Sequence, residues 1–214
     1  MTHINKGKPF PLGSSLTSQG VNFSLVATNA EYVEILLFEK EDSISPKRIF
    51  KLDQTHNNGP YWHAEIKNLN EGCIYAFRVK QKNNEINNNY EKKVLLDPCS
   101  RGITGWGSYK RENALKTQEN TNSCLKSVVC DRKLFNFKDY PRPKHSWEET
   151  IIYELHIKAF TESTDKDESC FKKFLKKIPY LKELGITTIE LLPIFCFDPT
   201  DAPNGLENFW GYSP

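Results

Sequence analysis

The 214 residues allow one large domain or two small ones, and 38% hydrophobic and 12% aromatic content supports a globular core. A net charge of +2, from 29 basic and 27 acidic residues spread along the chain, argues against electrostatic capture of nucleic acid or of an anionic membrane. No window approaches the ~18 apolar residues of a spanning helix, and the opening MTHINKGKPFPLGSSLTSQG lacks the apolar core of a signal peptide. A cytoplasmic location is the expectation.

Residues 1–19 are polar, broken by Pro9, Pro11 and Gly13, and read as a lead-in loop. Period-two alternation then recurs: Val21, Phe23, Leu25 and Ala27; Val33, Ile35 and Leu37; Arg48–Leu52; Trp62, Ala64 and Ile66; Tyr75, Phe77 and Val79; and a sixth run at Val94–Leu96. Alternation means one buried and one wet face per strand. With turn residues at Asn57–Pro60 and Asn70–Gly72, it predicts an antiparallel β-sandwich, immunoglobulin-like, of roughly 90 residues. The Asn-rich stretch 81–93 reads as a solvated hairpin loop. Residues 100–149 show weak periodicity and read as an ordered linker, pinned by burial of Phe135, Phe137 and Trp147.

The last third changes character. Ile151–Ile157 is a β-branched run broken by Glu154 and His156. Phe171, Phe174, Leu175, Ile178, Leu181 and Leu184 recur at helical spacing, and Thr187–Leu192 is a second β-branched run. Strand, helix, strand is a βαβ unit, whose strands lie parallel. Gly185 stands where a left-handed helix cap is wanted. Pro179 removes a backbone donor, so the spacing predicts a helix over 169–177, a kink, and a short helix to Leu184. Six cysteines, with no CxxC and no His pair at zinc spacing, read as free thiols. Neither a metal nor a cofactor is expected.

These runs carry a resemblance. IIYELHIKAF and YLKELGITTIELLPI resemble the first strand, and the first helix end with second strand, of the α-amylase superfamily barrel. NFWGYSP resembles the second βα loop of the isoamylase-type glycogen debranching enzymes. PLGSSLTSQGVNFSLVATNAEYVEILLF, YWHAEIKNLNEGCIYAFRVK and VLLDPCSRGITG resemble the sandwich module that precedes that barrel. Cys99 replaces an aromatic of the family pattern, and Cys130 another small residue. The resemblance implies a mixed fold in three parts: a β-sandwich glucan-binding-type module at 1–99, a linker at 100–149, and at 150–214 the first βαβ of a (β/α)8 barrel, truncated after about a quarter of its ~250 residues.

Retaining glycoside hydrolysis needs two carboxyl groups about 5–5.5 Å apart, placed in barrels at the carboxyl ends of strands. No stretch matches the family's catalytic motifs, so no catalytic residue is assigned. Glu154 and Glu190 fall mid-strand and read as interior or paired groups, while Asp198 and Asp201 read as turn chemistry. The resemblance implies that Tyr212 packs its ring on a sugar face. Trp210 shapes the same loop, and Gly211 permits a backbone angle or close approach that a side chain would block. His156 either lines the site or is a hydrogen-bonded structural histidine. Tyr61 and Trp106 are candidates for a glucan surface on the sandwich, whereas alternation puts Trp62 in the core.

The resulting expectation is the amino-terminal part of an enzyme that hydrolyses α-1,6 branch points of glycogen or a related α-glucan, inactive over these 214 residues alone. The alternatives are a non-catalytic α-glucan-binding or regulatory module, or another α-amylase relative such as a pullulanase or trehalose-releasing hydrolase.

Overall fold

A computed structural model describes residues 3–82, 92–131, 140–162 and 168–212. Most of the Asn-rich stretch (83–91), Phe135, Phe137, Ser213 and Pro214 lie outside the described residues. The chain divides into two compact units, Met1–Phe135 and Asn136–Pro214.

The first unit runs β1 (Ile4–Asn5), β2 (Gly13–Leu16), β3 (Gly20–Val26), β4 (Ala30–Phe38), β5 (Arg48–Leu52), β6 (Asn57–Asn58), β7 (Tyr61–Lys67), β8 (Ile74–Gln81), β9 (Gly102–Thr104), α1 (Arg111–Leu115) and β10 (Lys126–Val128). One antiparallel sheet has the order β1-β7-β3-β2, with β6 also on β7; the other has the order β5-β4-β8-β10-β9. Their inner faces meet in one core. Val21, Phe23, Trp62, Ala64 and Ile66 come from the first sheet, and Val33, Ile35, Leu52, Tyr75 and Phe77 from the second. Phe23, Tyr75 and Phe77 pack edge to face at 4.8 and 5.7 Å. Trp62 is buried as alternation predicts, and its indole N–H donates to the Ala27 carbonyl at 3.1 Å. The sandwich was legible.

Its outer faces differ from the expectation of one wet face per strand. Residues 6–9 lie as a strap over the first sheet. Asn22 exchanges two hydrogen bonds with the Lys8 backbone, at 2.7 and 3.0 Å. Ser24 donates to the Pro9 carbonyl at 2.6 Å, and His63 Nδ1 bonds the Lys6 carbonyl at 2.7 Å. The lead-in loop therefore supplies β1, the strap and β2. Over the second sheet, Val94 and Cys124 cover Leu36, Phe38 and Ala76. This explains the unbroken apolar run Ile35–Phe38, whose side chains are buried on both faces. The lysine before Val94 is itself buried, and its ammonium caps α1 through the carbonyls of Asn113 (3.2 Å), Ala114 (2.5 Å) and Lys116.

The stretch read as a linker thus contributes two strands to the second sheet, β9 and β10. Asp97 ties it in. Its carboxylate accepts from the Tyr75 hydroxyl at 2.5 Å and from the Cys99 N–H at 2.8 Å, and its own N–H donates to Ser127 Oγ at 3.1 Å. Val94–Leu96, expected as a sixth strand, makes a single antiparallel bridge between Leu95 and Phe77.

The second unit contains β11 (Ile152–Leu155), α2 (Ile157–Phe160), α3 (Cys170–Glu183) and β12 (Thr188–Leu191). β11 and β12 are parallel, in register from Ile152 opposite Thr188 to Leu155 opposite Leu191. A small core of Leu155, Ile157, Phe174 and Leu181 joins the helices to the sheet. Of the helical stripe, Phe171, Leu175 and Leu184 remain exposed. Helix α3 starts on the Ser169 side chain and runs unbroken past Pro179, contrary to the expected kink. Phe174 and Leu181, buried on either side of the proline, hold both halves to the same core. The helix ends as expected: Gly185 has φ +86°, its N–H bonds the Lys182 carbonyl, and the Ile186 N–H bonds the Leu181 carbonyl, both at 3.0 Å. This is the Schellman pattern. Trp147, expected to be buried, is 87% exposed in a turn closed by Thr150 N–H to the Trp147 carbonyl. No disulfide joins the cysteines among the described residues. No helix among the described residues is long and apolar enough to cross a membrane.

Candidate functional site

Strand β11 ends at Leu155, and the chain turns at once into α2, with His156 as its N-cap. His156 Nδ1 accepts from the Ala159 N–H at 3.2 Å. Its Nε2 lies 3.1 Å from the Phe209 carbonyl, in the loop that follows β12. The imidazole stacks on the Phe209 ring at 4.4 Å, and the Trp210 indole meets it edge-on at 5.8 Å. Phe209 and Trp210 are themselves perpendicular at 5.4 Å. The Lys158 ammonium sits 5.6 Å from the Phe209 ring centre.

The loop orders itself around two short polar residues. Asp198 Oδ1 accepts from Thr200 N–H and Oγ1 at 2.8 and 2.7 Å, the turn chemistry expected of Asp198. Asn208 Oδ1 accepts from the Gly211 N–H at 3.2 Å, and the Asn208 N–H reaches the Pro199 carbonyl at 2.9 Å. Gly211 has φ +76°, and a Cβ there would stand 2.8 Å from the Phe197 ring. Both physical reasons for a glycine at this position hold. The loop thereby presents Trp210, half exposed, and Tyr212, 67% exposed.

Of the sequence-derived residues, the structure brings His156 and Trp210 together and sets Tyr212 two positions on. Both ring nitrogens of His156 are engaged within the chain. Phe209, Asn208 and Phe197 were missed. Asn208, three residues before a glycine, carried a turn signal. The pairing of Phe209 with a residue 53 positions away carried none. Glu154 and Glu190 are direct neighbours in the parallel register, both exposed.

In the first unit, Tyr61 packs at 4.9 Å on the exposed Phe10 ring, which follows the strap. Trp106 is half-buried and meets Tyr109 edge-on at 5.6 Å. Tyr109 in turn lines a cavity of about 240 Å³ with Lys93, Val94, Asn120 and Cys124. Among the described residues, no group of three or more His, Cys, Asp or Glu side chains could hold a metal ion.

Residues 11–100 match carbohydrate-binding module 48, the isoamylase N-terminal domain. Glycogen debranching enzymes of Pectobacterium carotovorum subsp. carotovorum and Pectobacterium atrosepticum are 30% identical over 228 residues, covering 100% of this chain. The chain is homologous to glycogen debranching enzyme. It spans 34% of the length of these curated relatives. The catalytic module of the glycogen-degrading pneumococcal virulence factor SpuA shares the fold over 90% of this chain and 28% of its own, with a TM-score of 0.66 at 21% identity. The pullulanase SAP of Group B Streptococcus, solved with maltotetraose, does so over 87% of this chain and 24% of its own, with a TM-score of 0.66 at 22% identity. The antiparallel sandwich belongs to this shared fold.

Proposed function

We propose that the chain is the opening part of a glycoside hydrolase that cleaves α-1,6 branch points of glycogen or a related α-glucan by a retaining two-carboxylate mechanism. The carrying observation is the loop that presents Trp210 and Tyr212 just beyond a parallel strand, in a chain related along its whole length to debranching enzymes. In this reading, residues 11–100 form the glucan-binding-type module and 150–214 open a (β/α)8 barrel. The parallel pairing of β11 and β12 across α3 supports the barrel. The sheet face bearing Glu154 and Glu190 is then the barrel interior.

Tyr212 and Trp210 bind sugar through their apolar ring faces. Tyr61 with Phe10, and Trp106 with Tyr109, are secondary glucan surfaces. Cysteines with no disulfide among the described residues suit the cytoplasm. Calorimetry with maltoheptaose tests the reading. Tyr212→Ala weakens binding by about tenfold or more, the scale of one aromatic contact, and no reducing sugar is released from glycogen, because no catalytic carboxylate pair is assigned within the chain. Undiminished affinity in Tyr212→Ala refutes the loop site. Loss of binding in Tyr61→Ala or Trp106→Ala instead favours a non-catalytic glucan-binding module.

A further inference from the structure

The two hydrogen bonds of His156 allow only one proton arrangement. The Ala159 backbone N–H can only donate, so Nδ1 must carry a lone pair. The Phe209 carbonyl can only accept, so Nε2 must carry the hydrogen. The ring is therefore the neutral Nε2–H tautomer, and it has no nitrogen left for a ligand. One of its two faces is covered as well, by Phe209.

The two bonds do different work. The Nδ1 bond is local and starts α2. The Nε2 bond spans 53 residues and joins the end of β11 to the loop after β12. Phe209 is adjacent to Trp210, and Gly211 is held by the Asn208 side chain at a place where a Cβ would strike the Phe197 ring. Leu155 holds the start of that loop through the Leu192 N–H, and Phe209 is the point at which the end of β11 takes hold of its far part.

We propose that His156 is a positioning residue, which fixes the Trp210–Tyr212 loop through its Nε2–H bond to Phe209 rather than touching the ligand. The consequence for sugar binding rests on the loop reading above. Two substitutions separate the roles. Asparagine places an acceptor near Nδ1, so His156→Asn keeps the cap and loses the tether. Glutamine places an N–H near Nε2, so His156→Gln keeps the tether and loses the cap.

The test uses the whole chain. Imidazole ¹⁵N NMR should show His156 as the Nε2–H tautomer, with the resonance assigned by its loss in His156→Asn. The Trp210 indole resonance should shift or broaden in His156→Asn and stay close to wild type in His156→Gln. Maltoheptaose affinity should fall about three- to tenfold in His156→Asn, the scale of one lost hydrogen bond, and less than twofold in His156→Gln. An Nδ1–H tautomer, or an unmoved Trp210 indole in His156→Asn, overturns the proposal. So does the reverse ranking, which would make His156 a helix cap only. If the NMR results hold and no form of the chain binds maltoheptaose, the positioning role stands and the sugar reading of the loop fails.

Discussion

The two units bury their apolar residues to different degrees. In the sandwich the central strands are covered on both faces: the core lies within, the strap 6–9 over one sheet, and Val94 with Cys124 over the other. Among the described residues of the second unit, four side chains form the buried core, while Ile151, Ile152, Phe171, Leu175, Tyr180 and Leu184 face outward. A two-stranded parallel sheet also leaves both strand edges unpaired. The lesson is about placement. A closed sandwich can hold its fold by burial, whereas the unit carrying the candidate loop relies on caps, turns and the His156 tether to hold its local geometry.

The sandwich is most sensitive at Trp62, which is fully buried. Truncation to Ala should destabilise the sandwich by about 3–5 kcal/mol, as for a large buried aromatic, read as a drop in the urea midpoint of its cooperative transition. A loss under about 1 kcal/mol would mean that the two-faced burial does not dominate. In the second unit the sensitive points are backbone ones. Gly185→Ala meets no steric contact but must hold φ +86°. It should cost about 1–2 kcal/mol, visible as faster exchange of the α3 amides with the sandwich unaffected.

The smallest effect lies at the Asp53 turn. Hydrogen bonds from Thr55 and His56 lower the Asp53 carboxyl from 3.8 to about 2. A depressed carboxyl stabilises the fold above its unfolded value, and that contribution is lost as pH falls from 3.8 through 2. Carboxyl ¹³C titration should give a midpoint near 2, and an unshifted midpoint would dissolve the turn network.

Much of this was legible because the signals were local. Alternation placed β3, β4, β5, β7 and β8 to within three residues, and Gly185 marked a helix end. The strands β1, β2, β9 and β10, of two to four residues, lie in no alternating or β-branched run of the kind that marked β11 and β12. They are set by what they pair with: Val128 opposite Ile74, Ile4 opposite Ile66. Pro179 misled because tertiary burial on both sides outweighed its local cost. Trp147 misled because aromatic character alone does not say which way a turn residue points. At the candidate site, Trp210, Tyr212, Gly211 and His156 could be named from the chain. What joins them, the stack and hydrogen bond to Phe209, exists only once β11 and β12 are neighbours.

The most direct measurement is a map of backbone amide shifts on titrating the chain with maltoheptaose. The largest shifts are expected at Asn208–Tyr212, with smaller ones around Tyr61 and Trp106. Shifts confined to the sandwich, with the Trp210–Tyr212 loop silent, would contradict the loop site.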